Sequence, residues 1–214
     1  MLPPYIITTT MKRLLTHLTG MLTALLLLSA CSMADGGLPD MGTESLNRLV
    51  ERTDAVSSGD VVVYLLAGEQ LVATDAVEVT AGKRLVLRGF KEAPAKIVLG
   101  KEGFVTGCGL ELENVEIDAS ALSAPLIVPS VDAGAEYSGG YYHVDDITLR
   151  NVKITGLKSS VIIADSCAPF SIESLSVEGC TLLLTTKPAQ GKPLVSLPKG
   201  RVQKSHIGST TITQ

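Results

Sequence analysis

The sequence predicts an all-β solenoid in which copies of one strand type stack in parallel. Three octets of the 214-residue chain, at 110–117, 147–154 and 175–182, share one pattern of apolar and polar residues with Asn or Gly in fifth place. A partial copy occupies 85–90, and 210–214 is interpreted as a broken fifth copy. Recurrence of one strand type at intervals of tens of residues is typical of a solenoid. The 20 glycines, 10 prolines and absence of tryptophan also favour short strands and turns.

The copies are expected to stack as a parallel β-helix rather than to pair as hairpins. They share one polarity phase, the segments that link them are too long for two-residue turns, and no Asn-Gly or similar dipeptide joins neighbouring strands. Their fifth positions fall at residues 89, 114, 151, 179 and 214. The shorter intervals suit one coil of a β-helix, and the longer intervals predict inserted loops, the largest near 130–143.

Two inward columns of apolar side chains are expected to form the core of this stack. Side chains alternate between the two faces of a strand, so the first and third residues of each copy point to the same side. Each such side chain contributes about 1.5–3 kcal/mol when it is fully buried. The two columns are Leu85, Leu110, Ile147 and Leu175, and Leu87, Leu112, Leu149 and Val177.

The polar positions of the copies are expected to serve the scaffold rather than a reaction. Opposite charges alternate along one outward column, which predicts a ladder of ion pairs between neighbouring strands. That column consists of Arg88, Glu113, Arg150 and Glu178. The fifth position holds asparagine or glycine, because a turn into the next strand favours residues that tolerate a left-handed backbone. These residues are Gly89, Asn114, Asn151 and Gly179.

The first thirty residues are predicted to be an export signal. Two basic residues precede an apolar run at 14–28, and Met11 is a candidate start of translation. The Leu-Ser-Ala-Cys sequence at 28–31 resembles the lipobox of bacterial lipoproteins, in which the cysteine is lipidated and the bond before it is cut. A transmembrane anchor is the alternative, but the run is short for a bilayer span and is interrupted by His17. Cys31 is therefore predicted to be the acylated N-terminus of the mature protein.

An acylated Cys31 makes the lipid bilayer a predicted partner and places the protein in the cell envelope. The predicted site is the outer membrane, facing either the periplasm or the exterior. Residues 31–42 are rich in small and turn-forming residues and are expected to be a tether, followed by a β-helix domain over 43–214. Thr43 is predicted to cap a short helix that runs to about Arg52 and covers the first strand edge of the stack.

The strand rhythm resembles that of uncharacterised pectate-lyase-like β-helix domains, which occur in lipoproteins of gut Gram-negative anaerobes. The residues that carry the resemblance are 85–90, 96–100, 103–105 and 110–117. The resemblance implies a right-handed β-helix over about 60–214, and relatives with this fold include polysaccharide lyases and glycoside hydrolases. The chain has no lyase motif to which catalytic residues can be transferred. Gln214 falls at the Asn114 position of a further copy, so the chain is expected to be truncated at its C-terminus.

The insertion before the second octet is the candidate binding site. Three of the five tyrosines, Tyr137, Tyr141 and Tyr142, lie there beside two glycines and His143. Exposed tyrosines offer a flat face and a hydroxyl, which suit sugar rings, so a polysaccharide is a candidate partner. The alternative is that the loop packs its own aromatic side chains against the scaffold.

Aspartates are weaker candidates for a metal site, and cysteines for a disulfide. A calcium site could be formed by carboxylates of the insertion, although these residues also favour turns. The carboxylates are Asp132, Asp145 and Asp146. No other cofactor is expected. Cys108, Cys167 and Cys180 lack the spacing of a metal site. Cys180 is expected to be buried in an apolar column, and Cys108 with Cys167 is a candidate disulfide.

Charge excludes one class of partner and leaves three functional hypotheses. The balance of 18 Lys and Arg against 22 Asp and Glu gives a net charge of -4, which argues against nucleic acid binding. The leading hypothesis is a membrane-anchored β-helix lipoprotein that binds carbohydrate or another extracellular partner without catalysis, so no catalytic residue is assigned. The alternatives are a polysaccharide lyase or glycoside hydrolase, and a structural or adhesive surface module.

Overall fold

The computed structural model describes residues 44–164, 167–184 and 194–213, which contain one short helix and eighteen strands. The predicted all-β class is confirmed, because these residues form mainly parallel sheets. The predicted export signal, Cys31 and the tether lie outside the described residues. The helix found in these residues is too short to cross a membrane.

The helix α1 spans Leu46–Val56. In chain order the strands are β1 (Glu44–Ser45), β2 (Val61–Tyr64), β3 (Gln70–Ala73), β4 (Arg84–Arg88), β5 (Ala95–Leu99), β6 (Phe104–Thr106), β7 (Gly109–Glu113), β8 (Val115–Asp118), β9 (Ile127–Pro129), β10 (Glu136–Ser138), β11 (Tyr141–Arg150), β12 (Lys153–Leu157), β13 (Ile162–Ile163), β14 (Phe170–Glu178), β15 (Thr181–Leu184), β16 (Val195–Ser196), β17 (Arg201–Ile207) and β18 (Thr211–Thr213).

The strands fall into three sheets that the chain visits in a fixed cycle. The first sheet has the order β1-β3-β5-β8-β12-β15-β18, the second β17-β14-β11-β7-β4-β2, and the third β16-β13-β9-β6. From β4 to β16 the chain passes through the second, first and third sheets in that sequence four times. Strands of successive cycles pair in parallel, as in β4 with β7 and β7 with β11. The exception is β10, which pairs antiparallel with β11.

Strand pairing confirms the predicted core columns. Leu110 lies opposite Leu85 on one side and Ile147 on the other, and Ile147 lies opposite Leu175. All four side chains are at most 4% exposed. The second column is also in register, and only Val177 at its end is partly exposed. The period-two pattern of the octets therefore predicts which face of the second sheet is buried.

The fifth position of each octet is a corner between two sheets, as predicted. Asn114 and Asn151 have left-handed backbones, with φ of 54° and 52°. The Nδ2 of Asn151 donates to the Oδ1 of Asn114 at 3.0 Å, and the Nδ2 of Asn114 donates to the carbonyl of Gly89 at 3.3 Å. Gly179 is left-handed as well, with φ of 63°. The prediction for Gly89 is wrong: its φ is not positive, and glycine is required because a Cβ would lie 2.3 Å from the carbonyl oxygen of Asn114.

The last copy of the octet is 205–212, and its placement at 210–214 is wrong. Leu175 pairs with Ser205, and Leu182 pairs with Ile212. Gln214, predicted to fall at the Asn114 position of a further copy, lies outside the described residues. The pattern is hidden in the sequence because Ser205 stands in an apolar column.

The helix begins later than predicted. Ser45, not Thr43, is the N-cap, and its hydroxyl accepts from the amide of Arg48 at 3.5 Å. The reason is that β1 holds residues 44–45 extended against β3, so helical geometry starts only at Leu46. The helix then runs past Arg52 to Val56, and buries Leu46 and Val50 against the first strands.

Candidate functional site

The predicted insertion folds as a β-hairpin. Strand β10 pairs antiparallel with β11 through Tyr137 opposite Tyr142. Gly139 and Gly140 connect the two strands with φ of 57° and 87°, which suits a type I′ turn. The expectation that no hairpin dipeptide joins neighbouring octets concerns other links, because this hairpin lies within the insertion. A Gly-Gly pair between polar and aromatic residues is itself a hairpin signal.

The tyrosines of the hairpin face two different environments. The ring of Tyr142 lies 4.9 Å from that of Tyr137 and 5.8 Å from that of Phe170, measured between centroids. Tyr142 is partly buried against the core, whereas Tyr137 remains 62% exposed. Aromatic packing thus accounts for Tyr142. Tyr141 and His143 alternate with it along β11 and contact a separate polar cluster.

This cluster, which we call the polar platform, is built by three adjacent strands. The N-terminal parts of β11, β14 and β17 extend beyond β7, and His143, Ser171 and Arg201 lie side by side on them. Ser171 is fully buried beneath longer side chains. The members are Tyr141, His143, Ser171, Glu173, Arg201 and Gln203. Of these, the sequence predicts Tyr141 and His143, because they lie in a cluster of aromatic residues, whereas the other four lie in segments without such a cluster.

Glu173 is the centre of the hydrogen-bond network of the platform. Its Oε1 lies 2.8 Å from His143 Nδ1 and accepts from Gln203 Nε2 at 2.6 Å. The Nε2 of His143 lies 3.0 Å from the carbonyl oxygen of Ser138 in the hairpin. Because both ring nitrogens face acceptors, both act as donors only in the imidazolium form. The carboxylate of Glu173, followed by the Ser138 carbonyl, therefore raises the pKa of His143.

The charge of His143 is expected to control how firmly the hairpin is held. The raised pKa means that its contacts are complete below the ordinary value of 6.5 and are lost as the pH rises through the higher folded-state value. An NMR titration of the His143 ring should therefore give a pKa above 6.5, and Glu173→Gln should lower it.

The control is Glu178→Gln on the same strand, which should leave the His143 titration unchanged. An unchanged titration in Glu173→Gln would contradict the assigned network.

Arg201 completes the platform by lying over Tyr141. Its Cζ is 4.4 Å from the centroid of the Tyr141 ring, within the range of cation–π attraction. Its Nε donates to the Oγ of Ser171 at 3.5 Å, and Gln203 Nε2 donates to the same oxygen at 3.2 Å. The side chains of three strands therefore hold one another in place on the outer face of the second sheet.

The candidate calcium residues are separated in the structure. The Sγ of Cys108 lies 3.5 Å from Asp145 Oδ2, and Asp146 Oδ2 lies 3.1 Å from Arg84 Nη2. Asp132 is exposed in the loop before β10. Burial raises the pKa of Asp146, against the effect of Arg84. Within the described ranges, no three His, Cys, Asp or Glu side chains come close enough together to hold a metal ion.

Cys108 and Cys180 are separate thiols in different surroundings. Cys180 is buried in the predicted column, and burial raises its pKa. Cys108 has a free thiol, so the candidate disulfide with Cys167 is not formed in the structure. Burial and the charge of Asp145 raise the pKa of Cys108 to about 11. A pocket of about 140 Å³ next to it is lined by Asp145, His143 and Glu136 with three glycines.

A second charged cluster occupies the opposite half of the same sheet and serves the scaffold. Arg88 Nε and Arg150 Nη1 lie 3.5 and 3.6 Å from the carboxylate of Glu113, as the alternating column predicts. Glu111, which alternates with the buried leucines of β7, is itself only 6% exposed, because it lies between Arg84 and Arg88. These contacts leave the polar platform as the better candidate for ligand binding.

Comparison of the chain with protein-family models, with curated proteins and with solved structures gave no match. The resemblance to pectate-lyase-like lipoprotein domains therefore stays a prediction. Functional inference rests on the platform itself, which combines an aromatic ring, a guanidinium, a carboxylate, an amide and an imidazole within three strands. Such a set can stack on a ring and exchange several directed hydrogen bonds with hydroxyl groups.

Proposed function

We propose that this chain is an exported lipoprotein whose right-handed parallel β-helix presents the polar platform to a carbohydrate. The β-helix is supported by the four successive cycles through the same three sheets. Right-handedness is supported by the strong general preference for right-handed crossovers between parallel strands. Acylation of Cys31 would anchor the protein at the outer membrane, where extracellular glycans are accessible.

The observation that carries the carbohydrate proposal is that the platform side chains hold one another in place through direct contacts. Glu173 holds His143 and Gln203, and Ser171 holds Arg201 above Tyr141. Side chains that are already ordered lose less conformational entropy when a ligand binds. Sugar hydroxyls require donors and acceptors in fixed directions, which this network supplies along one face.

Replacing Tyr141 with alanine is expected to weaken glycan binding about tenfold, because it removes a hydroxyl group and the ring that supports Arg201. A polysaccharide panel is first screened for members that bind the unaltered protein. Calorimetry then compares the affinity of both proteins for those members. The matched control is Tyr64→Ala, since Tyr64 is 71% exposed on the same sheet but lies outside the platform.

Two results would refute the proposal: failure of the unaltered protein to bind any polysaccharide, or equal binding by the Tyr141→Ala variant.

A polysaccharide lyase or glycoside hydrolase is the second candidate function. The observation in its favour is that His143, Glu173 and Arg201, residue types used in acid–base chemistry, are neighbours on the platform. Depolymerisation assays on acidic and neutral polysaccharides, with and without calcium, separate the two functions. Unsaturated or shortened products that disappear in Glu173→Gln would replace the non-catalytic proposal.

A further inference from the structure

Among the residues that the structure describes, Arg201 has no carboxylate partner, unlike the arginines of the second charged cluster. Arg84, Arg88 and Arg150 each contact at least one Glu or Asp side chain within 4 Å. For Arg201, no ion pair is formed with any Asp or Glu in the described ranges. The nearest acidic member of the platform, Glu173, is occupied by His143 and Gln203.

The guanidinium of Arg201 is nevertheless held in a defined position. The Tyr141 ring supports its face, and Ser171 accepts from its Nε. Its two Nη nitrogens have no hydrogen-bond acceptor among the residues that the structure describes. A planar guanidinium with both Nη groups available matches the two oxygens of a carboxylate or a sulfate ester. Fixing it in advance reduces the cost of binding such a group.

The chain segment that carries Arg201 has the opposite charge from the chain as a whole. Residues 194–213 contain Lys199, Arg201 and Lys204 but no Asp or Glu, although the whole chain has a net charge of -4. Lys204 is exposed on the same strand. These cations favour an anionic ligand at this end of the platform, since the one carboxylate of the platform, Glu173, already binds His143 and Gln203.

We propose that Arg201 is an anion subsite and that the glycan bound by the platform carries carboxylate or sulfate groups. This inference rests on the proposed carbohydrate-binding function and specifies its ligand class. The acidic group forms two parallel hydrogen bonds with Arg201, while the adjoining sugar ring contacts Tyr141. No covalent step is involved.

The test compares matched pairs of polymers that differ only in charge. Polygalacturonate is set against its methyl ester, and dextran sulfate against dextran, with the unaltered protein at about 0.15 M salt. We expect the charged member of at least one pair to bind at least tenfold more tightly than its neutral partner. The pair that shows the difference identifies the source of the anionic group.

Variants then assign the effect to Arg201. Arg201→Gln should weaken binding of the charged polymer about tenfold or more, because charge-assisted hydrogen bonds are lost. Arg201→Lys should retain part of the affinity, since it keeps the positive charge but loses the two parallel N–H donors of the guanidinium. Arg150→Gln is the control, because Arg150 is paired with Glu113 at 3.6 Å, and it should leave binding unchanged.

Equal binding of charged and neutral polymers would overturn the anion subsite while leaving carbohydrate binding intact. Binding of the charged polymer that is unaffected by Arg201→Gln would also overturn it. Failure of every polymer, charged or neutral, would overturn both this inference and the proposed function. The comparison of polymer pairs uses the unaltered protein, so it remains decisive even where Arg201→Gln does not fold.

Discussion

Replacing Leu112 with alanine is expected to lower the free energy of unfolding by about 3–5 kcal/mol. Leu112 is fully buried between Leu87 and Leu149, which lie opposite it on the neighbouring strands. Three side-chain carbons are lost at a point where strands on both sides are fixed by backbone hydrogen bonds. The sheet cannot collapse into the space, so a cavity adds to the lost transfer free energy. Equilibrium denaturation by urea measures the change.

The matched control is Leu183→Ala in β15, because Leu183 is 36% exposed. Its effect should stay below about 1 kcal/mol, since it leaves no enclosed cavity. Equal losses for the two variants would mean that the inward columns do not form the core.

Replacing Glu111 with glutamine is expected to cost about 2 kcal/mol. The side chain is 8% exposed and contacts both Arg84 and Arg88, so the neutral amide leaves two guanidinium groups without their shared counter-charge. The loss should be smaller than for a fully buried pair, because the Arg84 and Arg88 side chains are 25% and 41% exposed to screening water. Thermal unfolding at low and moderate salt measures the effect.

Glu113→Gln provides the comparison within the same cluster. Glu113 is 22% exposed and lies 3.5 and 3.6 Å from its arginine partners, so its loss should cost less than about 1 kcal/mol. A greater loss for Glu113→Gln than for Glu111→Gln would show that burial of Glu111 is not what makes its ion pairs important.

Sequence reasoning succeeds for this fold where a physical rule acts locally. Alternation along a strand assigns Leu110 and Leu112 to the interior, and the left-handed tolerance of asparagine places Asn114 at a corner. It fails where the signal is weak or depends on distant residues. Strand β17 was missed because its sequence, from Arg201 to Ile207, is mainly polar. The burial of Glu111 is an example, because nothing local in the sequence reveals that Arg84 and Arg88 cover it.

In the candidate site, too, the residues with a local sequence signal are predicted and those that depend on distant contacts are not. Tyr141 and His143 stand out in the sequence because aromatic residues cluster around Gly139 and Gly140. Their partners lie about thirty residues away in the next cycle, and Arg201 lies in the cycle after that. Which residues become neighbours depends on the length of every intervening loop. The sequence does not show how each loop folds, and therefore does not reveal the strand register that brings the platform residues together.

The asparagine ladder has glycine at each end, and this sets its size. A Cβ on Gly179 would lie 2.5 Å from the Oδ1 of Asn151, so a third asparagine cannot be added on that side without displacing the second. On the other side, a Cβ on Gly89 would collide with the backbone of Asn114. The ladder is therefore limited to the side-chain amides of Asn114 and Asn151, because there is no room for a further side chain at either glycine. The corner is specified as much by the side chains that are missing as by those that are present.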